Sequence, residues 1–134
     1  MGRDALPHLQ ILVQEDDLML AEKAAHLAAR IGGKDAVNVL LHAARRDEPT
    51  IRVAAAAASE ALAPQFSEMV IEPLLDDKDS GVRRSAVRSA AAGARAPNGV
   101  KLRKLLERVS ATEPDALVRK ASREALRALQ IKRK

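Results

Sequence analysis

The chain has 134 residues, enough for one domain whose single core needs no disulfide or metal staple. It contains no Cys, Trp or Tyr and one Phe, Phe66, which excludes a disulfide framework, thiolate zinc sites and thiol nucleophiles and demands a core without large rings; 27 alanines take their place, and helix is the structure that packs them closely. The net charge of +5 is uneven, with 7 basic and 11 acidic residues in 1–75 but 16 basic and 7 acidic in 76–134, so the second half suits an acidic protein surface, nucleic acid or anionic lipid.

The predicted elements form an internal repeat of helical hairpins. The first unit, residues 5–32, has a helix carrying Leu9, Leu12 and Val13, a turn containing Asp17, and a second helix with Leu20, Ala24 and Ile31 on one face; Gly32-Gly33 ends it. The second, residues 33–63, repeats this with Leu40, Ala43 and Ala44, the turn Asp47-Glu48-Pro49-Thr50, and Ile51, Ala55 and Leu62, before Ala63-Pro64 breaks the chain. The third, residues 64–96, reads Ile71, Leu74 and Leu75, then the polar turn from Asp76 to Gly81, then Val82, Ala86 and Gly93. Past Ala96-Pro97-Asn98-Gly99, the fourth unit, residues 97–131, has Val100, Leu102, Leu105, Leu106 and Val109, the turn Thr112-Glu113-Pro114-Asp115, and Val118, Ser122 and Leu129.

Leu20, Ile51, Val82 and Val118 serve as anchors, spaced 31, 31 and 36 residues apart. An acid stands three residues before each (Asp17, Glu48, Asp79, Asp115), where a helix N-cap or first-turn residue belongs. One residue after each stand Ala21, Arg52, Arg83 and Arg119. Positions 0, 4, 8 and 11 from the anchor share a helical face. The expectation is an all-α domain over residues 1–134: four hairpins, eight helices, stacked in one layer, with no strand.

The run Leu74-Leu75-Asp76-Asp77-Lys78-Asp79-Ser80-Gly81-Val82-Arg83-Arg84-Ser85-Ala86 resembles a HEAT repeat, particularly the short HEAT-like type also found in phycobilisome lyases. The resemblance extends over nearly the whole chain as four units and departs from the pattern at Ala21, where the arginine is missing, and at Gly93, where an aliphatic residue is expected. It implies an α-solenoid whose second helices line a concave surface and whose commonest role is to scaffold protein complexes. It does not imply catalysis. The hairpin reading stands beside it on physical grounds, since two one-sided helices bury their apolar face only against a further hairpin.

Catalytic and metal readings lack their residues. His8, His26 and His42 are 18 and 16 residues apart, without the spacing of a zinc site; Gly33-Lys34 lacks the first Gly and the Ser or Thr of a phosphate loop, having Ala28 and Asp35 there. Asp77-Lys78-Asp79-Ser80-Gly81 places its Gly one residue early for a calcium loop and has Arg88 where the closing Glu belongs. No catalytic residue, metal or cofactor is expected. Glu48/Arg52, Asp79/Arg83 and Asp115/Arg119 are expected to bond each other or a neighbouring turn as a structural ladder.

Opposite the anchor face, about 140° to 240° away at 100° per residue, lie positions 2, 5, 6 and 9 of each second helix. These are Glu22, Ala25, His26 and Ala29; Val53, Ala56, Ala57 and Glu60; Arg84, Val87, Arg88 and Ala91; and Lys120, Arg123, Glu124 and Arg127. The stripe runs from mixed through apolar to basic, and the resemblance makes it a groove. The function expected is a non-enzymatic scaffold or adaptor in which Val53 and Ala57 supply burial while Arg84, Arg88, Lys120, Arg123 and Arg127 orient an acidic or amphipathic segment of a protein partner. The alternative is nucleic-acid backbone binding, favoured by a pI near 10.0 and the terminal Ile131-Lys132-Arg133-Lys134, and opposed by the lack of aromatic residues for base stacking. A phycobilin lyase role, suggested only by the resemblance, is opposed by chain length, missing aromatics and the absence of an evident tetrapyrrole site. With no apolar run near the ~20 residues that span a bilayer, no membrane partner is expected and a cytoplasmic location is.

Overall fold

The computed structural model describes the backbone of residues 2–133 and the side chains of residues 2–130. The side chains of the basic terminus Ile131-Lys132-Arg133-Lys134 therefore lie outside the described residues. After a 3-10 turn at Gly2–Ala5 come eight α-helices: α1 Leu6–Leu12, α2 Leu18–Ile31, α3 Lys34–Ala44, α4 Pro49–Ser59, α5 Pro64–Leu74, α6 Ser80–Ala94, α7 Val100–Thr112 and α8 Ala116–Arg133. The protein is all-α, with no strand among the described residues.

Local chemistry sets the helix ends. Asp17 Oδ1 accepts the Leu20 N–H at 3.2 Å, Asp79 Oδ1 accepts those of Gly81 and Val82 at 2.7 and 3.1 Å, and Asp115 Oδ1 those of Leu117 and Val118 at 2.9 and 3.1 Å. Each carboxylate thus satisfies amides that the first turn leaves without a carbonyl. Pro49 and Pro64 open α4 and α5, where a missing N–H costs nothing. Between α2 and α3, Gly32 and Gly33 have φ of 80° and 82°, a left-handed conformation that a side chain would strain.

Consecutive helices pair as hairpins, α1 with α2, α3 with α4, α5 with α6 and α7 with α8. Between hairpins, α2, α4, α6 and α8 pack in succession as one row, and α1, α3, α5 and α7 as the other. The two rows use different side chains. The first helices bury bulk: Leu6 and Leu9; Val37, Val39 and Leu40; Val70, Ile71 and Leu74; Leu102, Leu105, Leu106 and Val109. The second helices bury mostly methyl groups, and in α2 every buried residue is alanine: Ala21, Ala24, Ala25, Ala28 and Ala29. Small contact residues shorten the separation between helix axes, so alanine lets the second helices stack closely while leucine and isoleucine fill the space between rows.

Several single positions differ from expectation. Ile51, Val82 and Val118 are buried, but Leu20 is 37 % exposed and its neighbour Ala21 is buried instead. Among the described residues α4 is the one second helix that packs against α2, whereas α4 and α6 each have a second helix on both sides. Val100 is exposed at the mouth of α7. Gly93, where an aliphatic was expected, lies so close to Leu102 Cδ1 that a β-carbon there would overlap it. Ser122 occupies a position that is alanine in the other hairpins, and its buried hydroxyl donates to the Leu106 carbonyl at 2.6 Å.

Candidate functional site

The arginines following the anchors share one pattern of bonding. Arg52 donates through Nη1 to the carbonyls of Arg46 and Asp47 in its own turn, at 2.8 and 2.7 Å, and through Nε and Nη2 to Asp77 in the next turn, at 2.8 and 3.2 Å. Arg83 does the same one hairpin on, with Nη1 on the Asp77 carbonyl at 2.8 Å and Nε and Nη2 on Glu113 at 3.1 and 2.9 Å. The receiving acids also tie their own turns: Asp77 accepts the Asp79 N–H at 2.9 Å, and Glu113 accepts the Asp115 N–H at 3.1 Å. Each guanidinium is therefore a clamp, one edge on its own turn and the other on the following hairpin.

Of the two bondings expected for these residues, the neighbouring turn is found for Arg52 and Arg83 and the pairing four apart is not. Glu48 does not bond Arg52, nor Asp79 Arg83, nor Asp115 Arg119; Asp79 and Asp115 are caps, and the acids that meet Arg52 and Arg83 stand five residues before the next anchor. Those acids, Asp77 and Glu113, were missed as partners although their common offset is visible in the sequence. So was Arg46. It stands at the same offset before Ile51, where an acid would be expected, and faces a hairpin that has Ala21 in place of the arginine. Its Nη1 donates to the Val13 and Glu15 carbonyls at 3.1 and 2.6 Å, and its Nε and Nη2 to Glu48, both at 2.9 Å. The clamp is preserved with its direction reversed, which accounts for the departure at Ala21.

These bonds shift the charges they involve. Burial opposes ionisation of Asp77, but hydrogen bonds from Arg52 and the Asp79 amide, with the Arg52 charge, outweigh it and hold the carboxyl below its ordinary range. Glu48 is held low by its hydrogen bond from Arg46; Arg46 and Arg83 are pushed up by theirs to Glu48 and Glu113.

On the opposite stripe, Arg84, Arg88, Lys120, Arg123 and Arg127 are all exposed. They border two adjoining depressions. Between α6 and α8, Arg84, Arg88 and Glu124 surround a floor of Val87, Ala91, Ala121 and Ala125, a space of about 370 Å³. On the far flank of α8, Arg119, Lys120, Arg123 and Arg127 surround another of about 360 Å³, also edged by Glu124. The five predicted cations are accordingly divided by the α8 ridge and by one acid rather than gathered on one face. Ala57 is exposed and Val53 half-buried, but Ala25, Ala29, Ala56 and Val87, placed on the same stripe, are buried. Position 5 is buried in α2, α4 and α6, each of which packs against a following second helix; Arg123, at that position in α8, is exposed.

His8 and His26 are exposed and His42 lies 3.4 Å from Gln14 Nε2; no group of three His, Cys, Asp or Glu among the described residues has the arrangement of a metal site. No described helix is long and apolar enough to cross a membrane. No family model, curated protein or solved structure matches the chain.

Proposed function

We propose that the chain is a non-enzymatic protein-interaction module of HEAT-like α-solenoid type, which binds an acidic or amphipathic segment of a partner along α6 and α8. The solenoid reading is supported by the repeated clamp and by the succession of contacts α2, α4, α6, α8. The observation that carries the binding reading is the depression between α6 and α8: an apolar floor of Ala91, Ala121 and Ala125 flanked by Arg84 and Arg88, neither of which has an intramolecular acid partner among the described residues. A half-buried apolar floor edged by cations without acid partners suits a helix that buries its apolar side and meets arginines with its carboxylates.

The test is the double reversal Arg88→Glu with Arg123→Glu, made in the full chain and used in affinity capture beside the wild type. Both residues are exposed, so circular dichroism should be unchanged. A partner held by this surface should bind at least tenfold more weakly to the variant, and its association with the wild type should slow with added salt. Unchanged affinity of every captured partner would remove the assignment. Duplex DNA competing with a steep salt slope would move the function to nucleic acid.

A further inference from the structure

Arg119 is the last of the arginines that follow an anchor, and half of its clamp is built. Its Nη1 donates to the Glu113 and Pro114 carbonyls at 2.8 and 2.9 Å, the grip on two carbonyls of its own turn that Arg52 has and that Arg83 makes with one. That grip orients the guanidinium plane. In Arg52 and Arg83 the remaining edge, Nε with Nη2, holds a carboxylate from the following turn. In Arg119 the same edge has no hydrogen-bond partner among the described residues, and the residue lines a depression together with Lys120, Arg123, Arg127 and Glu124.

We infer that the outer edge of Arg119 is a carboxylate-docking site, and that its occupant is an acidic interhelical turn of a partner protein, seated as Asp77 and Glu113 seat on Arg52 and Arg83. The inference rests on the protein-binding reading and gives the partner a chemistry. Within the molecule the occupant is always an Asp or Glu whose carboxylate also accepts the backbone N–H two residues on. A partner turn with an acid, one intervening residue and a helix start reproduces both interactions. A planar fork held in advance recognises such a carboxylate at two points, which a flexible lysine does not. The surrounding three cations favour a partner turn with more than one acid.

A second copy of this chain is a poorer occupant. Its first hairpin presents Glu15 at the matching offset, but α2 carries the exposed cations Lys23 and Arg30 as α8 carries Arg123 and Arg127. Like charges would meet along the contact.

The probe is a synthetic peptide with the sequence of residues 109–118, Val-Ser-Ala-Thr-Glu-Pro-Asp-Ala-Leu-Val, which contains the turn that fills this place on Arg83. It is titrated into the 134-residue chain while the Arg119 Nε–H resonance, assigned by its loss in Arg119→Lys, and the backbone amides of residues 113–120, which remain observable in that variant, are followed by NMR. The expected result is a saturable shift, with affinity reduced about tenfold when the peptide's Glu is Gln and about tenfold for Arg119→Lys, each change removing a charge-assisted pair while retaining size or charge. The Gln peptide needs no protein variant, so the outcome does not depend on how Arg119→Lys folds. Equal binding of the Glu and Gln peptides overturns the inference, as does displacement of the peptide by duplex DNA at matched charge. Self-association in sedimentation that is abolished by Glu15→Gln overturns it in favour of a second copy. Weakening of a captured partner by Arg88→Glu/Arg123→Glu with no effect of Arg119→Lys overturns the fork alone and leaves the proposed groove in place.

Discussion

Replacing Arg52 by Met should be among the most destabilising changes available on this protein, although the substitution keeps an unbranched apolar stem. The side chains of Arg52 and Asp77 are 5 % and 10 % exposed, and the guanidinium makes four hydrogen bonds. Removing it leaves Asp77 as a buried charge without its counterion and two turn carbonyls without their donor. Breaking a buried pair from one side costs about 3 to 5 kcal/mol. Arg119→Met is the internal control, because Arg119 has the same grip on its own turn but no acid partner among the described residues. Two hydrogen bonds at the partly exposed end of the molecule are worth about 1 to 2 kcal/mol together. Urea unfolding of the two variants at neutral pH should therefore separate them by about 2 kcal/mol or more. The pH dependence gives an independent check. Asp77 has a folded pKa below its ordinary 3.8, so the stability it contributes is complete above that value and is lost as pH falls through the lower folded one. The deficit of Arg52→Met should accordingly narrow in acid, below about pH 4. Equal destabilisation by the two substitutions would refute the idea that the guanidinium joins successive hairpins, and would reduce it to a brace for its own turn.

The reversed clamp at Arg46 predicts a compensating pair. Arg46→Asp should cost about 2 to 4 kcal/mol, since it strands the Val13 and Glu15 carbonyls and sets an acid beside Glu48; adding Ala21→Arg, which restores the arrangement of the later hairpins, should recover about half of that in thermal melts. Additive losses in the double variant would show that Ala21 and Arg46 are not equivalent ends of one clamp. Ala86 is fully buried and Ala57 exposed, so Ala86→Leu should overpack the α6 contact and cost about 1 to 3 kcal/mol while Ala57→Leu stays near neutral. Similar denaturation midpoints for the two would contradict the helix phase.

Hydrophobic period and punctuation were sufficient to place the helices. The capping acids Asp17, Asp79 and Asp115, the Pro and Gly breaks, and the one-sided spacing after Ile51, Val82 and Val118 are local signals, and local signals act within a turn or two of helix. The exposure of Arg84, Arg88, Lys120, Arg123 and Arg127 was legible for the same reason, because ionised side chains without a buried counterion stay in water. Helical phase alone could not say which residues of the opposite stripe remain uncovered. Ala56 and Val87 are as far from their anchors as Arg123 is, yet they are buried in helices that pack against a following second helix, whereas the anchor Leu20 is exposed in a helix whose one second-helix neighbour among the described residues is α4. The sequence admitted either the acid four residues away or a neighbouring turn as the partner of each arginine and did not choose between them. Arg52 passes over Glu48, four residues away on its own helix, for Asp77 in the next hairpin, because stacking brings that carboxylate to the free edge of a guanidinium already fixed by turn carbonyls. The sequence determined which residues can form helix, cap it or remain charged; the stacking of hairpins decided which faces meet and which charge finds which, since burial and ion pairing depend on the neighbour in space.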